Sequence, residues 1–94
     1  MKQRSSQHIS IIIPVLNEEA HIGSLLRHLK AQPLHFVKEI IVVDGGSSDK
    51  TVAVAIKHGA SVLHSNKGRA RQMNFGAKHA SGDVLYFLHA DTFP

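Results

Sequence analysis

Val84-Leu85-Tyr86-Phe87-Leu88 is an unbroken apolar run, closed before by Gly82-Asp83 and after by His89-Ala90-Asp91. It is too short for a buried helix and has no polar alternation. It therefore predicts a strand buried on both faces, the pattern of a parallel sheet. Ile9-Ser10-Ile11-Ile12-Ile13 reads as a second such strand, ended by Pro14. Glu39-Ile40-Ile41-Val42-Val43-Asp44 reads as a third, with an acid at its end. Strands without a face for water need helices on both sides, so the intervening segments must supply them.

The segments fit that need. Ile22, Leu25, Leu26 and Leu29 recur at helical spacing, and the stripe stops by Gln32, before Pro33. Asn17 is expected to cap this helix, with Glu18 and Glu19 against the positive end of its dipole. Val52, Ala55 and Ile56 give a second helix face, capped by Ser48 or Asp49 and closed by Gly59. Ser61–His64 is a short strand. Ala70, Met73, Asn74 and Ala77 mark a third helix, ended by Ser81-Gly82. The order is β-α-β-α-β-α-β, and connections of this length demand parallel strands with right-handed crossovers. The expected fold is α/β, three-layered, with a mostly parallel, Rossmann-like sheet.

Ninety-four residues make one small domain, which at this size buries only roughly 60–65% of its unfolded surface. Residues 1–8 read as a polar, flexible arm and residues 9–94 as the folded unit. The formal net charge of +4 favours anionic partners. No aromatic lies within the basic cluster Lys67, Arg69, Arg71, so a nucleic-acid surface is not expected. Eight histidines are scattered without the i, i+4 pairing of a zinc helix. The chain has no cysteine, hence neither a disulfide nor a thiolate metal site. The apolar stretch from Ile9 to Leu16 is too short to span a bilayer, and the first residues carry no signal core. These features fit the cytoplasm; a position peripheral to a membrane is compatible with them but not indicated.

Ligands of open α/β sheets bind outside the carboxyl ends of the strands. That edge gathers Pro14 to Glu18, Asp44 to Asp49 and His89 to Asp91. Asp91 is a hard oxygen donor suited to Mg²⁺ or Mn²⁺ bridging to phosphate. Gly45 and Gly46 let a backbone turn tightly beside a ligand. Cations around the start of the third helix are unfavourable unless an anion is shared with them, which favours a phosphate site there. Each residue also has a plainer use. Asn17 and Glu18 suffice as caps, and His89 and Asp91 suffice to solvate a strand end. GxGxxG is absent, so a dinucleotide fingerprint is not supported.

Four stretches in this order resemble glycosyltransferase family 2, of the GT-A fold. They are Ile11-Ile12-Ile13-Pro14-Val15-Leu16-Asn17-Glu18-Glu19, Ile41-Val42-Val43-Asp44-Gly45-Gly46-Ser47-Ser48-Asp49-Lys50-Thr51, Gly68–Ala77 with Ser81-Gly82-Asp83, and Phe87-Leu88-His89-Ala90-Asp91-Thr92. The LHAD ending is similar to a bacterial subgroup of such proteins. The resemblance implies transfer of a sugar from a nucleotide-diphosphate donor to an acceptor, with a divalent metal, Mg²⁺ or Mn²⁺. It implies that Pro14, Val15, Asn17, Glu18 and Asp44 frame the nucleoside, and that Arg69 and Arg71 lie near the base or diphosphate. Asp91 matches the last acid of the DxD motif and would hold the metal, with His89 as a second candidate ligand.

Two positions depart from the family pattern. Gly45 stands where a second acid is usual, and His89 stands where the first DxD acid is usual. The family domain is normally more than twice as long, and no residue here matches its general base. The expectation is therefore a truncated, donor-binding half. The alternative is a non-catalytic nucleotide-binding or assembly module. A nucleotidyltransferase is disfavoured, because Asn17-Glu18-Glu19 occupies the place of its glycine-rich basic loop. An uncovered last strand would further favour homo-oligomers through an exposed sheet edge.

Overall fold

The computed structural model describes residues 8–32 and 36–90. The elements are β1 (Ile9–Val15), α1 (Glu19–Ala31), β2 (Val37–Asp44), α2 (Thr51–Lys57), β3 (Ser61–His64), α3 (Arg69–His79) and β4 (Val84–Phe87). All strand pairs are parallel, in the order β3-β2-β1-β4. The first two crossovers step outward from β1, and the third returns past it to the opposite side. The sheet thus reverses its direction of growth at β1, and such a reversal opens a crevice at the carboxyl ends of the strands.

Strand alternation divides the core into two layers. Ile11, Ile13 and Val15 of β1 and Val42 of β2 cluster with Ile22, Leu25 and Leu26 of α1 and Ala55 of α2. Ile12, Ile41 and Val43 face the other way, against Phe75, Ala77 and Ala80. The result is the expected three-layer α/β fold. Gly76 sets how closely α3 lies on the sheet. A β-carbon there would come within 2.6 Å of Ile12 Cγ2 and 2.9 Å of Val43 Cγ2.

Several local expectations are corrected. Pro14 does not end β1; it pairs in register with Val43. The Ile12 carbonyl accepts from Leu88 N–H, on the β4 side. By alternation the position of Pro14 faces that side too, beyond the end of β4 at Phe87, so no ladder bond needs the missing N–H. β4 is not buried on both faces. It is the sheet edge, and Tyr86 is 55% exposed, with Val84, Leu85 and Phe87 all above a third. Among the described residues, the core clusters include Leu88 but none of Val84 to Phe87. In α2, Ile56 points outward and Thr51 is buried with Ala55. In α3, Ala70 and Asn74 are exposed, and the buried positions are Gln72 and Gly76.

At the amino ends of the strands, Glu39 ties three segments together. Its Oε2 accepts from Ser10 Oγ (2.7 Å), Ser81 N–H (2.7 Å) and Ser81 Oγ (3.0 Å). Ser10 Oγ in turn accepts from Gly82 N–H. These bonds, the Ser10 hydroxyl first, hold the Glu39 carboxyl below its ordinary pKa.

Candidate functional site

The β1–α1 and β2–α2 loops lie side by side at the carboxyl ends of their strands and are fastened reciprocally. Asn17 adopts a positive φ of 53°, a conformation that asparagine tolerates better than most residues. Its Oδ1 accepts from the N–H groups of Ser48 (2.8 Å) and Asp49 (3.3 Å), and its own N–H donates to Ser47 Oγ. Glu18 N–H donates to Thr51 Oγ1, and Glu19 N–H to Asp49 Oδ2. Lys50 N–H returns a bond to Glu19 Oε1. Asn17 therefore does not cap α1, whose first turn has no side-chain cap. It satisfies the loop entering α2 instead. Asp49 accepts from both the hydroxyl and the N–H of Thr51, and this holds its carboxyl below the ordinary range.

Asp44 is buried, and its carboxylate turns into its own loop. Oδ2 accepts from Gly46 N–H (3.0 Å) and Ser47 N–H (2.9 Å), while Oδ1 accepts from Ser47 Oγ. His64 Nδ1 lies 3.9 Å from the same carboxylate. Gly45 is buried against the Gln72 carboxamide; a β-carbon on Gly45 would sit 2.7 Å from Gln72 Oε1.

Gln72 is the brace of this region. Its Nε2 donates to the carbonyls of Val15 (2.9 Å) and Val43 (2.8 Å), and its Oε1 accepts from Gly68 N–H. One side chain thus joins the ends of β1 and β2 to the start of α3. The cleft beside it holds about 250 Å³ and is lined by Pro14, Val15, Leu16, Glu18, Lys67, Gly68, Arg69 and Gln72. Glu18 Oε1 accepts from His21 Nδ1–H across 3.0 Å. The first turn of α3 has no acidic residue and no side-chain cap. Its exposed N–H groups and the cations Lys67 and Arg69 make one wall of the cleft positive.

Of the residues singled out from sequence, Pro14, Val15, Glu18 and Arg69 meet in this cleft. Arg71 instead lines a separate depression with Ser65, Asn66, Asn74, Phe75 and Lys78. His89 follows the end of β4, half-buried, and its Nδ1 is enclosed with no hydrogen-bond partner among the described residues. Asp91 lies outside the described residues. Gln72 went unrecognised. The available signal was Gly76 one helical turn on, which marks the face of α3 that touches the sheet.

Residues 10–94 match the family model for glycosyl transferase family 2. The chain belongs to that family. Among glycosyl transferase family 2-like relatives, 4,4'-diaponeurosporenoate glycosyltransferase of Staphylococcus haemolyticus is 35% identical over 95 residues, which cover 93% of this chain and 25% of the relative. Glucosyl-3-phosphoglycerate synthase of Mycobacterium tuberculosis is 33% identical over 99 residues, covering 94% of this chain and 30% of that one. A crystal structure of the M. tuberculosis synthase superposes with a TM-score of 0.83 at 33% identity, over 93% of this chain and 36% of that chain. Another structure of it, in complex with Mn²⁺, UDP and glucosyl-3-phosphoglycerate, gives 0.76 at 33% identity over 89% and 33%. This chain spans a quarter to a third of the length of these curated relatives.

Within the family fold, the cleft lies at the reversal of strand order beside β1. Its apolar wall comes from Pro14, Val15 and Leu16, and its charged wall from the start of α3. Among the described residues no three of His, Cys, Asp and Glu gather to hold a metal, and no helix is long and apolar enough to cross a membrane.

Proposed function

We propose that this chain is the donor-binding part of a metal-dependent glycosyltransferase, which takes a sugar from a nucleoside diphosphate and passes it to an acceptor hydroxyl. The observation that supports this most is the positive cleft between β1 and α3, at the carboxyl edge of a family 2 sheet. Pro14, Val15 and Leu16 would lie against the nucleoside, and Lys67 and Arg69 would neutralise the diphosphate. Asp44 and Asn17 would act through the loops they fasten, and Gly45 through the room it leaves for Gln72. Arg71 would remain outside the cleft.

The solved relative with Mn²⁺ and UDP raises the question of metal. The donor set fits one that shares its shell with substrate. His89 Nδ1 is an enclosed, unpartnered nitrogen, and Asp91 follows two residues later in the sequence. One carboxylate and one imidazole leave positions for phosphate oxygens, the usual way a divalent ion is held between protein and nucleotide. When bound, the ion would stabilise charge on the departing diphosphate. No described residue takes the part of the general base. The cytoplasm is the compartment this reading assigns, where nucleotide sugars are made.

Titration calorimetry with UDP and GDP, with and without Mn²⁺, tests this reading. Metal-dependent binding that Asp91→Asn abolishes is expected. Failure of every nucleotide to bind would sink it. The exposed edge at β4 also favours association between copies of this chain.

A further inference from the structure

We infer, building on the donor-binding reading above, that the cleft recognises its nucleotide by the diphosphate and is nearly indifferent to the base. Most polar side chains near the cleft are already committed to other partners. Reading a base edge needs donors and acceptors in a fixed pattern, each free to bond the ligand.

Gln72 looks like such a reader, since it lines the cleft. Both its Nε2 hydrogens are spent, on Val15 and Val43, and Oε1 is turned to Gly68 N–H. It is only 4% exposed. The Val15 carbonyl is filled as well, accepting from Gln72 and from Gly45 N–H at 3.0 Å. Asp44 directs both carboxylate oxygens into its own turn. Asn17 spends its amide oxygen on Ser48 and Asp49, and its free Nδ2 is not among the groups that line the cleft.

Three polar side chains of the cleft remain. Lys67 and Arg69 have no hydrogen-bond or ion-pair partner among the described residues. Both are donors only and carry full charge, so they fit phosphate oxygens. Glu18 spends one oxygen on His21 and offers the other. A lone carboxylate oxygen finds an N–H on uracil, guanine, cytosine or adenine alike, so by itself it does not discriminate among them. The free side chains of the cleft therefore read charge, and the apolar wall of Pro14, Val15 and Leu16 accepts any planar ring.

The test is calorimetric titration of the 94-residue chain with UDP, GDP, ADP and inorganic pyrophosphate, each with Mn²⁺. The three nucleotides are expected to bind within about tenfold of one another, and pyrophosphate to compete with each. Lys67→Ala and Arg69→Ala, whose exposed positions leave the fold intact by circular dichroism, should weaken all three by a common factor of about ten. One nucleotide binding much more than tenfold tighter than the others overturns the inference and leaves the donor-binding reading standing. So does a variant that changes the affinity of one nucleotide alone. No binding by any ligand overturns both.

Discussion

Gln72 Nε2 donates to the Val43 carbonyl across 2.8 Å, although one residue belongs to a helix and the other to a central strand. The partner hydrogen goes to Val15, so a single amide spans the ends of β1 and β2. Gly45 leaves the space the amide occupies. Gln72→Ala takes a donor from the Val15 and Val43 carbonyls and the acceptor from the Gly68 N–H, and should cost about 1–3 kcal/mol in urea denaturation. Gly45→Ala forces the same amide out and should cost a similar amount. Because both break one set of bonds, the double variant should lose clearly less than the sum of the singles. Strict additivity would show that the two residues do not share this contact.

Asn17 carries a second clasp. Asn17→Ala removes the acceptor for Ser48 and Asp49 and places alanine at a φ of 53°. The expected loss is about 1–2 kcal/mol, combining lost loop hydrogen bonds with left-handed strain. Asn17→Gly keeps the backbone free of strain and should recover part of it. If glycine is as damaging as alanine in thermal melts, the hydrogen bonds alone carry the effect.

The sheet was legible because β1, β2 and β4 each carry a run of apolar residues and a polar end, a local signal that survives any packing. The helices were legible from their stripes. What escaped was decided by neighbours distant in sequence. Asn17 reads as a cap for the helix beside it, and only the adjacency of two loops sends its oxygen to residues 31 and 32 positions away. Gln72 is polar on a helix that already offered an alanine-rich face, so periodicity chose Ala70 and Asn74 over it. The carbonyls that bury Gln72 come from β1 and β2. Arg69 and Arg71 are near neighbours in sequence, yet the turn of α3 sends them to different depressions. The run at Val84–Phe87 reads as central because its composition is, while its position at the edge depends on the strand order.

Glu39 should give the protein an acid limit. Its folded pKa lies below the ordinary value, chiefly through the Ser10 hydroxyl, then the Ser81 N–H. A depressed carboxyl contributes stability in full above its unfolded pKa of about 4.3. That contribution is lost as pH falls through the lower, folded value. Urea midpoints measured from pH 7 down to pH 3 should therefore fall more steeply for the parent than for Glu39→Gln. Ser10→Ala should flatten the profile in the same direction. Parallel profiles for parent and Glu39→Gln would remove Glu39 from the account of acid sensitivity.

β4 should mediate self-association. Val84 and Leu88 direct their N–H groups to His8 and Ile12, so by alternation Leu85 and Phe87 point their backbone groups away from the sheet. Apolar side chains flank that open ladder, with Tyr86 55% and Leu85 38% exposed. An uncovered edge of this kind pairs with another strand unless a charge blocks it. Sedimentation equilibrium should show a dimer whose fraction rises with concentration, and Leu85→Lys should return the protein to monomer without altering its circular dichroism. A parent chain that stays monomeric at the highest soluble concentration would rule out pairing through this edge.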